Sequence, residues 1–475
     1  MTLAYAPPDA LARARRKAYV WLLPILFVCY IIAYVDRSNV GLAKLMMSRD
    51  LAGFDDRVIA LGAGVFFFVG YFLLEIPGTL ICERWSARKW ICRIMVTWGI
   101  IAALTATVKT PRQFYTVRFL LGLAEAGFFP GVIVYLSHWF SRRDRARALA
   151  VFFVATPVAQ IISPKISNFL LKIGTPGHPE LWGLHGWQCL YIFWGIPAVI
   201  LGIVVLMMLP DHPREAKWLS EEEKQALEAE LEAEKARFAP RWQSHPEIPE
   251  SDAGTTRVLS YSTPSVPRRM TLGQALRHPK VLLLTFAYFC TTSSNYGFEF
   301  FLPTILKDWY ALKLDAITWL VILPPLLALF SQLFVGWNSD RTRERRLHAV
   351  IPTVIGGAAL ALVPITQGRL MLTIACFMLL YAGIKALQPA FWSLPNILLT
   401  EAAAAGSIGF INSVGNLGGA LGPYILGDLK ERTHSFVPGI YGLCALMFVS
   451  AAVIFFLGLG HKESEDATAQ AAAER

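Results

Sequence analysis

The sequence predicts an all-α membrane protein with twelve transmembrane helices in two pseudo-symmetric six-helix bundles. Of its 475 residues, 55% are hydrophobic and only 16% are charged, whereas soluble globular domains average about 25% charged residues. The apolar residues fall in blocks of about 20, the length with which a helix crosses a hydrocarbon core about 30 Å thick. Backbone groups in lipid must be satisfied internally, so blocks of this length indicate helices rather than barrel strands.

Charge distribution predicts the orientation of these helices. Basic clusters follow the second, fourth and eighth blocks, whereas the intervening loops carry fewer basic residues. Cytoplasmic loops are enriched in Lys and Arg, so we expect both termini and the central loop to be cytoplasmic, in the inner membrane of a cell. The predicted spans are 19–37, 57–82, 90–109, 115–140, 149–172, 188–209, 280–304, 316–337, 347–366, 370–398, 406–427 and 437–460.

The spans divide the chain into five regions. A basic start before the first span is typical of a signal peptide, but no small-residue cleavage site follows, so we expect a retained helix. The central region is polar, and a capping box formed by Ser220 and Glu223 predicts a solvated surface helix there. The regions are a cytoplasmic N-terminus (1–18), an N-terminal bundle (19–209), a cytoplasmic linker (210–279), a C-terminal bundle (280–460) and a cytoplasmic tail (461–475).

A loop signature repeats after the second span of each half. Glu83 and Arg84 precede Arg88 at the same spacing at which Asp340 and Arg341 precede a second basic pair. Such a pattern can fix a tight cytoplasmic turn and hold the neighbouring helix end. Ordinary positive-inside charge explains the basic residues but not the repeated acid, so we favour an internal repeat, and parallel six-helix repeats are known in transporters.

Several motifs resemble the major facilitator superfamily, and within it the anion:cation symporter family of tartrate, phthalate and hexonate carriers. They are GTLICERWSARKW (78–90), YVDRSNVGLA (34–43), RFLLGLAEAGFFPG (118–131), GIPAVILG (195–202), LPDHPREAKWLSEEE (209–223) and GFINSVGNLGGALGPYILG (409–427). The resemblance runs from about residue 19 to residue 460. It implies the major facilitator fold, in which spans one, four, seven and ten line the cavity.

Ionisable residues inside spans are the candidate site residues, because each costs several kcal/mol at mid-bilayer unless it is paired or faces water. Arg118 and Glu125 lie seven residues apart on one stripe of span four, and Asp36 and Arg37 are neighbours in span one. The resemblance implies that Asp36 and Glu125 carry coupling protons and that Arg37 binds the anion. We also expect Arg118 to bind substrate or to orient Glu125. The alternative is an ion-pair cluster that only joins the two helices.

Two lysines depart from the family pattern. Lys165 lies beside a proline in span five, and Lys385 lies in span ten. Extra intramembrane cations suit a dianion, in which each carboxylate has its own partner. Alternatively, Lys385 pairs with Glu299 of span seven, and Lys165 extends toward one membrane face.

Neutral side chains complete the predicted site. Asn412 lies on span eleven amid glycines, and the resemblance implies that it donates to substrate; the alternative is a helix-to-helix hydrogen bond. Tyr34 and Tyr71 are the aromatic residues expected in the cavity.

These observations predict a proton-coupled symporter that imports a small organic anion, preferably a tartrate-like or phthalate-like dicarboxylate. A hexonate symporter, an exporter and a transporter-like sensor of the same fold are the alternatives. We expect a monomer in the lipid bilayer, with no cofactor, no metal and no nucleic-acid partner. No ATP-binding G-x-x-x-x-G-K-[ST] loop and no nucleophile and base pair is present, so ATP drive and enzyme activity are not expected.

Overall fold

The computed structural model describes residues 8–175, 177–238, 276–395 and 401–459. Residues 239–275 of the predicted linker and the whole predicted tail (461–475) lie outside the described residues, as do the side chains of Glu83 and Arg84. The described chain is helical throughout, apart from connecting turns and one isolated bridge between Leu181 and Leu184.

Helices of the first half match the first six predicted spans. The second and fourth spans are each formed by two consecutive helices, and a π-helical turn at Leu61–Phe66 joins α2 to α3. The helices are α1 (Pro8–Asp50), α2 (Asp56–Ala60), α3 (Phe67–Arg84), α4 (Ala87–Leu104), α5 (Pro111–Glu125), α6 (Phe128–Ser137), α7 (Arg142–Leu171) and α8 (Gly186–Met208).

A further helix, α9 (Glu221–Phe238), precedes the second half. The helices that follow are α10 (Pro279–Tyr310), α11 (Leu314–Leu320), α12 (Leu323–Thr342), α13 (Arg346–Leu362), α14 (Leu370–Phe391), α15 (Glu401–Asn416), α16 (Gly418–Thr433) and α17 (Val437–Leu457). Nine helical stretches in the described part are long and apolar enough to cross a membrane. The remaining three predicted spans correspond to α10, to α13 and to α15 with α16.

Helix α1 is longer at both ends than the predicted span 19–37. It begins at Pro8 and ends at Asp50, and Ala10, Ala14 and Ala18 are completely buried. Small residues at four-residue spacing let another helix approach closely along one face. The extension before residue 19 is therefore a packed helix and not a polar tail.

The surface helix α9 packs against this extension of α1. Its start has the predicted capping box, in which Ser220 and Glu223 exchange hydrogen bonds at 2.9 and 3.3 Å. Glu223 also accepts a hydrogen bond from Lys17 at 2.7 Å, and Leu227 and Leu231 are buried. The prediction of a solvated helix was therefore wrong for one face of α9, which is held by ion pairs and apolar contacts.

The two loop signatures make different contacts. The Arg88 backbone N–H donates to Asp211 at 2.9 Å, and the Ser86 hydroxyl donates to the same carboxylate at 2.5 Å. In the second half, Asp340 pairs with Arg345 at 2.5 Å, and the Arg341 guanidinium lies 5.3 Å from the ring centroid of a tryptophan. Each signature therefore anchors the turn between two consecutive spanning helices.

Contacts between the halves run along the middle of the molecule. Helix α1 packs on α7 and α8 of its own half and on α10 of the other half, and α3 packs on α15 and α16. Within the second half, α10 and α16 approach each other closely. This approach requires glycine at position 422, where a Cβ atom would lie 1.9 Å from a backbone oxygen of α10. The polar residues described below lie along these contacts.

An ion network joins the halves at the face predicted to be extracellular. Lys430 at the end of α16 pairs with Asp56 at the start of α2 and with Asp308 of α10, the latter at 2.9 Å. Lys44 of α1 approaches the same Asp56 at 3.3 Å. Three of these four residues are less than one quarter exposed at the side chain, so the network closes this face between the first and second halves.

Candidate functional site

Asp36 is buried in the first half beside α4. Its carboxylate accepts a hydrogen bond from the indole N–H of Trp98 at 3.1 Å, and the residue is 2% exposed. The second oxygen of Asp36 has no hydrogen-bond partner among the described residues. A buried carboxylate with an open acceptor position can receive a proton without displacing another group.

Arg37 forms an ion pair with Glu125. The guanidinium Nε donates to Oε1 of Glu125, which is completely buried, and the other oxygen of Glu125 lacks a partner within the described chain. The guanidinium also lies 4.9 Å from the ring centroid of Tyr71 and 5.9 Å from that of Phe67. Aromatic faces favour a cation at these distances, so Arg37 is held at one end by a carboxylate and on one side by rings.

A helix break positions Glu125. Helix α5 ends at this residue, and Gly127 adopts a left-handed conformation with φ of +81° before α6 begins. Residues with a side chain rarely adopt that conformation. One turn earlier, a Cβ atom on Gly122 would lie 2.0 Å from the Phe67 oxygen. Glycine at 122 therefore lets α3 approach α5, which brings the ring of Tyr71 to the Arg37 and Glu125 pair.

Arg118 does not pair with Glu125, although both lie on α5. Its guanidinium donates to the Tyr191 hydroxyl at 2.6 Å and lies 5.3 Å from the ring centroid of Phe114. The residue is 2% exposed. The structure therefore places Arg118 in an aromatic setting near Asp36, on which it acts electrostatically.

A second carboxylate lies between the halves. Glu299 of α10 accepts hydrogen bonds from the Tyr34 hydroxyl at 2.9 Å and from the Gln160 amide at 3.0 Å. Gln160 also donates to the Tyr381 hydroxyl of α14. Four helices, α1, α7, α10 and α14, thus contribute to one hydrogen-bonded group.

Lys385 lies beside this group. Its ammonium is 4.9 Å from the ring centroid of Tyr381 and 6.0 Å from that of Tyr34, and the residue is 8% exposed. Glu299 is the acidic side chain that acts on it electrostatically, but no salt bridge joins the two within the described chain. The predicted alternative, a direct pair between these residues, is therefore not formed in this conformation.

Lys165 lies elsewhere. Its ammonium is 2.9 Å from the ring centroid of Trp319, close to Asp315. The structure does not bring Lys165 to Arg37 or Lys385, and the predicted substrate contact of Lys165 has no geometric support. The alternative of a lysine that extends toward one face agrees with this position.

Asn412 joins the halves through Glu75, which is not among the predicted site residues. Its amide donates to Glu75 of α3 at 2.9 Å, and the two residues are 9% and 2% exposed. Glu75 lies inside predicted span 57–82, so the criterion of charge within an apolar block applies to it and could have found it. Gln160 and Trp98 are neutral, and no signal in the sequence distinguished them from other core residues.

A cavity of about 60 Å³ adjoins the Glu299 group. This volume holds a few water molecules and is smaller than a typical small-molecule site, so the cavity must widen to admit a substrate. Its polar lining comes from α1, α7, α10 and α14, and prolines at the start of α12 close one side. The polar residues are Ser38, Asn39, Gln160, Ser163, Glu299 and Tyr381.

The described residues contain no group of three His, Cys, Asp or Glu side chains that could hold a metal ion. The polar centre instead consists of carboxylates, cations, amides and tyrosines. Such a set can exchange protons and bind an anion without a metal.

Comparison with known proteins identifies the family. The model of the Major Facilitator Superfamily matches residues 26–423. The chain is 38% identical over 449 residues to a "Putative tartrate transporter" of Agrobacterium vitis, covering 94% of this chain and 92% of the relative. It is 35% identical over 436 residues to a quinolone resistance transporter of Acinetobacter baumannii, covering 92% and 93%.

Solved structures agree on the fold. The xylose transporter XylE of E. coli, in a partially occluded inward-open conformation, superposes with a TM-score of 0.68 over 92% of this chain and 97% of that chain, at 10% identity. These comparisons confirm the predicted fold class and the resemblance drawn from the motifs. The chain belongs to the Major Facilitator Superfamily and is a multi-pass transporter of the inner membrane.

Proposed function

We propose that the protein imports a small dicarboxylate together with protons by alternating access. The observation that carries this proposal is the ion pair of the partly exposed Arg37 with the buried Glu125, beside the buried Asp36. Buried ion pairs contribute little to stability compared with apolar residues. Ionisable residues inside a membrane instead mark substrate or proton pathways.

Protonation of Glu125 is the first step of the proposed cycle. Neutral Glu125 no longer satisfies the charge of Arg37, so the guanidinium becomes available to a substrate carboxylate. Arginine suits this role because its planar fork binds a carboxylate through two hydrogen bonds. Asp36 carries the second proton, and its unpartnered oxygen supports this assignment.

The remaining residues hold the bound anion. The ring of Tyr71 flanks Arg37. Tyr34, on the same helix as Arg37, connects α1 to the second half through its hydrogen bond to Glu299. Asn412 donates to substrate when its bond to Glu75 opens, and Lys385 takes the second carboxylate. Arg118 balances the charge of Asp36 rather than contacting substrate, and Lys165 is not part of the proposed site.

Alternating access follows from the contacts between halves. Bonds such as Asn412 to Glu75 and Lys430 to Asp56 cross the interface. They can form in one conformation and break in the other, as the halves rock about a midplane site. In this proposal the protein acts as a monomer, and both termini and α9 lie in the cytoplasm.

The name of the Agrobacterium relative supports a hydroxylated dicarboxylate as substrate. Uptake of radiolabelled tartrate into proteoliposomes with an inwardly directed proton gradient tests the proposal. We expect accumulation that collapses when a protonophore is added. Accumulation that is indifferent to the protonophore would refute coupling, and a screen of phthalate and hexonates by ligand-induced thermal shift identifies the preferred anion.

Export is the second candidate, favoured by the name of the Acinetobacter relative. An exporter lowers the cellular content of its substrate in energised cells, whereas the proposed importer raises it. Measurement of intracellular tartrate and of a fluorescent quinolone in cells with and without the protein separates the two directions.

A further inference from the structure

The Glu299 group is not needed to bind a single carboxylate at Arg37. Glu299 itself lies on the opposite side of the interface from Arg37, on α10, and Lys385, the cation on which it acts electrostatically, lies on α14. The two sites are nevertheless close, because Tyr34 of the Glu299 group precedes Arg37 by three residues on α1. One helical turn rises about 5 Å, so the Glu299 group and Arg37 meet α1 on adjacent turns.

Lys385 is a buried cation without a direct anionic partner in the described chain. It lies 4.9 Å from one tyrosine ring and is 8% exposed, and no ion pair within 4.0 Å joins it to a described acid. A buried charge is strongly unfavourable unless it is paired. Lys385 is therefore suited to accept an anion that passes Tyr381 and Glu299, which line the cavity.

Glu299 limits that binding while it is ionised. A substrate carboxylate at Lys385 would lie near a second negative charge, and like charges in a low-dielectric site repel strongly. The titratable groups that face Glu299 are Tyr34 from α1, Lys385 and Tyr381 from α14, and Tyr296 from its own helix. Lys385 is the one cation in this described set, and its charge already balances that of ionised Glu299. An added substrate carboxylate can therefore be balanced by a proton on Glu299.

We propose that Glu299 takes up one further coupled proton when the second carboxylate of a dicarboxylate binds Lys385. This inference rests on the proposed function. The charges balance, because the carboxylate brings one negative charge and the proton removes one from Glu299. Each additional substrate carboxylate therefore crosses the membrane with one additional proton, and a dicarboxylate carries the same net charge across as a monocarboxylate.

The test uses the full chain in proteoliposomes. Proton flux, reported by an entrapped pH dye, and uptake of radiolabelled tartrate give the number of protons for each tartrate, and the same pair of measurements is made with the monocarboxylate glycerate. We expect the wild-type ratio for tartrate to exceed that for glycerate by one. Glu299→Gln, which mimics the protonated acid, lowers the tartrate ratio by one and leaves the glycerate ratio unchanged.

Two further variants keep the test decisive. Glu299→Gln with Lys385→Met removes both charges, so no isolated charge remains to prevent folding, and we expect loss of tartrate preference over glycerate. Glu180→Gln changes an acid in an exposed loop and serves as the matched control with an unchanged ratio.

The outcomes separate this inference from the proposed function. An equal tartrate ratio in wild type and Glu299→Gln, with uptake still driven by protons, overturns the role of Glu299 and leaves proton-coupled import standing. Absence of proton-driven uptake in the wild type overturns both.

Discussion

Trp98 donates its indole N–H to one oxygen of Asp36 at 3.1 Å, while the other oxygen of Asp36 has no partner among the described residues. The indole fixes the orientation of the carboxylate but donates without accepting a proton. Asp36 can therefore change its protonation state without losing this contact, which is the property required of a proton carrier.

Replacement of Asp36 by Asn should abolish accumulation and spare exchange. The amide keeps the shape of the carboxyl group but cannot carry a proton, so the proton gradient no longer drives net uptake. Exchange of internal for external substrate needs no net proton movement. We expect gradient-driven uptake to fall to the level of empty vesicles, while counterflow stays within about threefold of wild type, less than the tenfold that 1.4 kcal/mol would produce.

Trp98→Phe is the matched control for this prediction. It removes the hydrogen bond but keeps both the carboxylate and an aromatic ring, so uptake remains coupled at a reduced rate. Equal loss of counterflow and accumulation in Asp36→Asn would contradict the assignment and favour a purely structural ion cluster.

Changes at the two ends of the Arg37 and Glu125 pair should have opposite effects on binding. Arg37→Met leaves the substrate carboxylate without its partner, which costs about 2–5 kcal/mol for a buried charge contact, so we expect the dissociation constant to rise at least about 30-fold. Glu125→Gln frees the guanidinium and should preserve binding while abolishing proton-driven uptake. Isothermal titration or thermal shift measures binding, and Arg37→Lys tests the fork geometry. Weaker binding in Glu125→Gln than in Arg37→Met would contradict this model.

Both residues of this pair could be predicted as site residues from the sequence, because a charged residue in an apolar block is conspicuous and the motifs contain it. The side chains that each residue contacts could not be predicted. Arg118 and Glu125 share one stripe of α5, yet Arg118 binds Tyr191 and Glu125 binds Arg37. Helical spacing fixes which side chains share a face, whereas helix packing decides which neighbours they meet. The break at Gly127 turns the end of α5 in a way that periodicity alone does not describe.

Lys165→Ala should leave substrate affinity unchanged. Its ammonium lies on the ring of Trp319 and not beside Arg37, so the variant removes a cation–π contact worth about 0.5–2 kcal/mol of stability. We expect the KM for tartrate to stay within about twofold of the wild-type value, well below the tenfold change that 1.4 kcal/mol would produce. The melting temperature should fall modestly. Lys385→Ala is the matched comparison, and a large rise of KM in Lys165→Ala would restore its predicted substrate role.

Docking of α9 should weaken in acid. Burial is the largest single effect and raises the pKa of Glu223. The hydrogen bonds from Lys17 and from the Ser220 backbone, with the charges of Lys17 and Arg13, together outweigh it and hold the pKa below the usual value of 4.5. The ionised form is therefore favoured in the docked state. This contribution is fully present above about pH 4.5 and is lost as the pH falls through the lower folded value.

Hydrogen exchange of α9 in detergent-solubilised protein measures this effect. We expect constant protection between pH 7 and 5, after correction for intrinsic exchange rates, and decreasing protection below about pH 4.5. Glu223→Gln should reduce protection about fivefold at neutral pH, as expected for a contribution of about 1 kcal/mol. Glu221→Gln, an exposed acid on the same turn, is the control, and equal protection in Glu223→Gln and wild type would contradict the role of this carboxylate.

The ion network around Lys430 should control opening of the face predicted to be extracellular. Lys430 bridges Asp56 of the first half and Asp308 of the second. Lys430→Ala removes the cation and leaves two carboxylates near one another, which favours separation of the halves. Conformational couplings of this kind are typically 1–3 kcal/mol, so we expect the open population to rise at least about fivefold.

Labelling of a cysteine at position 38 reports this opening. Ser38 lines the cavity, and a membrane-impermeant thiol reagent reaches it only when the outer face separates. Six of the seven native cysteines are buried, so they contribute a low background. Lys430→Arg keeps the charge and should label at the wild-type rate, as should Lys313→Ala, which changes an exposed lysine. A labelling rate that is unchanged in Lys430→Ala would show that packing of α10 against α1, rather than the ion network, keeps this face closed.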